Sequence, residues 1–76
     1  MDWRKHIEVD PNVCHGKACI RGTRVMVSVL LHSLAERMTP QKVADTYRVT
    51  VDDVYAAVAY AADIAADRVL KLPDAA

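Results

Sequence analysis

The stretch TPQKVADTYRVTVDDV, residues 39–54, carries two helix-start signals with very little chain between them. Thr39 is an N-cap, a side-chain oxygen placed to accept a free backbone N–H. Pro40 follows at the first helical position, where its missing N–H costs nothing. Thr50 is a second N-cap, and Asp53 three positions on makes an aspartate version of the capping box. Asp52 and Asp53 also suit the positive end of a helix dipole. One helix must end, and the next begin, around Arg48 and Val49. That is the spacing of a helix-turn-helix. Val43, Ala44, Tyr47, Val49, Val54 and Ala57 fit its buried positions, and Arg48 stands where a turn glycine is usual.

A helix also precedes this pair. Val27, Leu30, Leu31, Leu34 and Met38 recur on one face of a 3.6-residue period. Ahead of it the pattern is extended. "HIEV" alternates weakly up to the turn cluster Asp10-Pro11-Asn12. "ACI" and "RVMV" flank Arg21-Gly22-Thr23, which predicts a hairpin. The expected order is β-β-β-α-α-α in one domain, residues 1–76. Residues 1–26 form a β arm, 27–68 a three-helix unit and 69–76 a tail, with the third helix ending near Arg68.

The third helix carries the strongest functional signal. "VYAAVAYAA", residues 54–62, has no charged side chain. A helix that is apolar all round must be covered on more than one side. Two neighbouring helices are too few for this. A core in a domain of 76 residues also contributes only about 3–5 kcal/mol, so association with another chain is a common supplement. Val58, Ala59, Ala61, Ala62 and Ala65 are therefore the expected interface of a homo-oligomer, a dimer or larger.

DNA reading is a second use of the same helix pair. Arg48, Thr50, Asp52 and Tyr55 are the candidate contacts, with Val51 and Ala56 also expected to face outward. The charge pattern weighs against it. Ten cations balance ten acids, and the expected outward face of the third helix carries an acid and no Lys or Arg. Acids repel phosphate and find a partner in the major groove only at cytosine N4. A helix pair that only packs a core remains the alternative. The cations concentrate elsewhere: residues 1–24 hold five against three acids, and residues 25–76 hold five against seven.

Within that basic third, "CHGKACIRGTR", residues 14–24, holds both cysteines and both glycines. Cys14 and Cys19 at C-x4-C, with His6, His15 or His32, fall short of a convincing four-ligand zinc set. Gly16 and Gly22 do not match the phosphate-loop spacing, and no general base is placed beside Cys14. A disulfide is geometrically feasible but disfavoured in a reducing cytosol. No enzyme, cofactor or metal is expected. The glycines then read as turn-formers. Lys17, Arg21, Thr23 and Arg24 become the candidate surface for a carboxylate-rich or phosphate-bearing partner. "MDWRKH" lacks the apolar run of a signal peptide, and no run approaches the roughly 18 residues of a membrane span. A soluble, cytoplasmic protein with no membrane partner is expected.

The segments "VDPNVCHGKACIRGTRVMV" and "LLHSLAERMTPQKVADTYRVTVDDVYAAVAYAAD" resemble the bacterial and archaeal family called domain of unknown function (DUF) 433. The matching positions are Gly16, Lys17, Ile20, Gly22, Thr23 and Arg24 in the arm, with Tyr47, Thr50, Asp53, Ala56, Ala57 and Tyr60 in the helices. The resemblance implies a mainly α, homeodomain-like three-helix domain with an N-terminal β-segment. It also implies an antitoxin whose partner is a PIN-like ribonuclease toxin. Together with the helix-turn-helix pattern, it implies binding to the chain's own operator DNA. His15 and Ala18 replace a usual Gly and Pro, Arg37 replaces a common Gly after the first helix, and the link from Tyr47 to Thr50 is one residue shorter.

Overall fold

A computed structural model describes residues 1–71, with side chains through residue 66. The helices follow the caps. α1 spans Val27–Ala35, α2 spans Pro40–Tyr47 and α3 spans Val51–Lys71. The Thr39 hydroxyl oxygen accepts the Lys42 N–H at 3.1 Å. At α3 the capping box is reciprocal: the Asp53 N–H donates to Thr50 Oγ1 and the Thr50 N–H to Asp53 Oδ2, each at 3.0 Å. α3 runs past the expected end near Arg68 as far as Lys71. Residues 72–76 of the expected tail lie outside the described residues.

Both arginines that stand in for glycine adopt the left-handed conformation. Arg37 has φ 72° and Arg48 has φ 59°. After α1, the Arg37 N–H donates to Leu34 O at 2.9 Å and the Met38 N–H to Ser33 O at 3.2 Å, closing the helix end as a Schellman motif does. After α2, the Val49 N–H returns to Ala44 O at 3.0 Å. Arg48 thus turns the chain in the space a glycine would occupy, at a backbone cost of roughly 1–2 kcal/mol.

The arm departs from expectation. The hairpin around Gly22 is short, closed by the Ile20 N–H on Val25 O at 2.8 Å and the Val27 N–H on Ala18 O at 3.0 Å. The regular strand pair is β1, Ile7–Glu8, antiparallel with β2, Cys19–Ile20, in the register Ile7 with Ile20 and Glu8 with Cys19. The expected third strand is reduced to one bridge, Cys19 with Met26. The physical reason is competition for the same residues. Val27 already starts α1, so "RVMV" has no length left to extend that bridge into a longer strand. Gly22 still makes the turn, with φ +80° and the Ile20 N–H bonded to Val25 O at 2.8 Å.

The core is Ile7 and Ile20 from the arm, Val27 and Leu30 from α1, Val43 and Ala44 from α2, and Val54, Ala56 and Ala57 from α3. Tyr47 and Val49 pack against it half-buried. Buried Ser33 pairs with the Tyr47 hydroxyl at 3.0 Å, which satisfies both groups between α1 and α2. Ala56 corrects an expectation. Sequence spacing puts it on the outward face of α3, yet its exposure is 0%. The N-terminal segment explains why. Its first turn, Trp3–Lys5, and β1 both contact α3. Trp3 meets Tyr60 edge-on at 4.8 Å, and its Nε1 donates to Asp63 at 2.7 Å. His6 Nδ1 lies 2.9 Å from Asp53 Oδ1. Asp53, Ala56, Tyr60 and Asp63 share one helical face by their spacing, so the strap covers Ala56. Part of the cover that the alanine-rich helix demands comes from its own chain.

Candidate functional site

Two surfaces emerge: the basic turn of the arm, and the outer face of α3 with the junction that precedes it. The basic turn is more committed to structure than its sequence suggests. Arg21 does not project freely. Its Nη2 donates to the carbonyls of Arg4 and Ile7, each at 3.0 Å, and its Nη1 lies 3.9 Å from Glu8 Oε2. Thr23 is likewise engaged, donating to Ile20 O at 2.8 Å and accepting the Val25 N–H at 3.0 Å. Both residues therefore hold the turn's shape. Lys17 and Arg24 remain exposed, without an ion-pair partner among the described residues. They are the cations available to a partner. Gly16, with φ +80°, closes a run in which Cys14 and His15 are also left-handed, at φ 52° and 56°.

The second surface begins at the α2–α3 junction. Arg48, Thr50, Asp52 and Tyr55 are all exposed, at the junction and on the first turns of α3. Thr50 also accepts the Asp53 N–H as the cap. Burial would raise the Asp53 carboxyl. The Thr50 N–H, the His6 ring and the Thr50 hydroxyl outweigh it and hold that carboxyl below its ordinary value of 3.8.

Further along, Val51, Tyr55, Val58, Ala62 and Ala65 recur at alternating steps of four and three residues. That is the spacing of a coiled-coil seam. Tyr55 is 51% exposed and Val58 42%. Ala62 and Ala65 are exposed as well. Of the five residues expected at an interface, Val58, Ala62 and Ala65 thus lie on the open face, while Ala59 and Ala61 flank it half-buried. Sequence reasoning missed the strap of Trp3, His6 and Asp63. One signal for it existed, since Trp3 is the only tryptophan and a large ring near a terminus needs a place to pack.

Among the described residues no cluster of three or more His, Cys, Asp or Glu side chains could hold a metal ion, and no helix is long and apolar enough to cross a membrane. Three helices, a two-stranded arm and an open apolar face define a small mainly α module. The family model described as "Protein of unknown function (DUF433)" matches residues 7–61, most of the chain, and the chain belongs to that family. The match starts just after the strap residues Trp3 and His6. No curated protein and no solved structure matches the chain.

Proposed function

We propose that the protein is an antitoxin that binds and neutralises a PIN-like ribonuclease toxin, and that as a dimer or a toxin complex it also binds its own operator DNA. The toxin half rests on the family resemblance. The binding half is carried by one observation: Tyr55, Val58, Ala62 and Ala65 leave an apolar stripe open along α3. Each Å² of that stripe covered by a partner chain contributes about 25 cal/mol. Lys17 and Arg24 add two exposed cations suited to a carboxylate-rich partner. Co-expression with a PIN-like nuclease from a neighbouring reading frame tests this reading. The full chain should co-purify with the nuclease and slow its RNA cleavage. A nuclease that neither retains the chain nor loses activity with it overturns the reading.

A second reading is supported by a specific feature of α3. Its exposed described positions carry Asp52 and Asp63 and no cation. A protein-interaction and dimerisation module that leaves DNA alone fits that charge pattern. Gel shifts with the upstream DNA, run for the free chain and for the complex at two salt concentrations, separate the two. A shift that weakens with salt supports operator binding, and no shift in either form leaves the interaction module.

A further inference from the structure

The two cysteines lie where neither the cap pattern nor the apolar stripe needs a thiol. Yet they converge on one peptide turn. Cys14 Sγ lies 3.5 Å from Arg24 O, and Cys19 Sγ lies 3.7 Å from Thr23 O. Each thiol donates to one of two consecutive carbonyls. Burial pushes the Cys19 thiol up to about 11, with the Cys14 thiol adding to the rise. Their exposure differs. Cys19 is 0% exposed, whereas Cys14 is half-buried. Cys14 opens on a pocket of about 270 Å³ lined by Pro11, Asn12, His15, Arg24 and Met26. The pocket is large enough for a small oxidant and carries the Arg24 cation on its wall.

We infer that Cys14 and Cys19 form a paired-thiol redox site, in which a hydroperoxide oxidises Cys14 and buried Cys19 resolves it to an intramolecular disulfide. In the first step the Cys14 sulfur attacks the peroxide oxygen. The O–O bond breaks, the sulfur is oxidised to a sulfenic acid, and the displaced hydroxide leaves as water on taking the thiol proton. In the second step the Cys19 sulfur loses its proton and attacks the sulfenic sulfur. The S–S bond forms as the S–O bond breaks, and a second water departs. Two thiols lose two protons and two electrons, and one hydrogen peroxide becomes two waters. The strand partner Cys19 is fixed, while Cys14 sits in a turn with a left-handed backbone, so the turn is the part that moves. The disulfide removes both S–H···O contacts to residues 23 and 24. The position of Arg24, one of the two cations of the basic turn without an ion pair among the described residues, then depends on the redox state.

The test treats the purified full chain with hydrogen peroxide and measures its intact mass. The expected result is a loss of about 2 Da, reversed by dithiothreitol, with no covalent dimer. Peptide mapping after denaturing alkylation should link residue 14 to residue 19. Cys14→Ser should abolish the loss and leave the Cys19 thiol slow to alkylate until the chain is unfolded. A wild-type chain that keeps both thiols free, or a reducible dimer joined between chains, overturns the inference. So does an accumulating sulfenic acid that a dimedone-type reagent traps in the wild type.

Discussion

Asp53 does three jobs from one carboxylate: it caps Thr50, pairs with His6 and starts α3. Its carboxyl is held below the ordinary 3.8, so its stabilising contribution is fully present above that value and is lost as pH falls through the lower folded value. Asp53→Asn should therefore cost about 1–2 kcal/mol at neutral pH. The gap to wild type should close as urea titrations are taken to pH 4 and below. A gap independent of pH would mean that shape, not charge, sets the contribution. Arg37 gives a prediction of the opposite sign. Its φ of 72° suits glycine, so Arg37→Gly should stabilise by about 0.5 kcal/mol, after the added unfolded-state entropy of glycine offsets part of the relieved strain. Thermal unfolding checks it. Thr39, Thr50, Asp53 and both left-handed arginines are legible in the sequence because caps and turns act over three or four residues. Arg21 is not. Its partners are the carbonyls of Arg4 and Ile7, and nothing local to Arg21-Gly22-Thr23 announces them.

At the scale of elements, the difference between expectation and structure lies in what pairs with what. The extended runs around Ile7 and Ile20 are readable, but the turn at Gly22 implies that its own flanks pair. They do, but only through the bridge of Cys19 with Met26 and its flanking hydrogen bonds, because α1 takes Val27; the regular ladder of β2 is with β1. Helix period overrides hairpin chemistry because α1 buries Val27 and Leu30, whereas a third strand would give up part of that face. The strap follows the same logic of distant partners. Trp3 spans 60 residues of sequence to reach Asp63. Trp3→Ala should lose the edge contact with Tyr60 and uncover the Ala56 face, at a cost of about 2 kcal/mol for a half-buried ring. Urea unfolding followed by helical circular dichroism measures it, since the variant has no tryptophan to report. An unchanged midpoint would show that the strap is ornamental to α3.

For the molecule as a whole, the proposed function turns on how much of α3 another chain would cover. The neutral charge balance and the apolar run at residues 54–62 both point to protein association, and the strap accounts for only one side of that run. The other side is the seam through Tyr55, Val58, Ala62 and Ala65. α3 has 21 residues and so is about 30 Å long. Stable, specific interfaces bury about 1,200–2,000 Å² in total. One narrow seam, two of its four residues alanine, meeting only its own copy, falls toward the weak end of that range. A dimer through α3 alone should then dissociate in the micromolar range, and a partner that also reaches the arm around Lys17 and Arg24 should bind more tightly. Sedimentation velocity over a concentration series reads the first. Val58 is 42% exposed, so Val58→Asp leaves the core intact while placing a charge in the seam. The variant should remain folded by circular dichroism and sediment as a monomer where the wild type associates, with a loss of about tenfold or more in self-affinity. Association that survives Val58→Asp but fails in Arg24→Glu would move the interface from the helix to the basic turn.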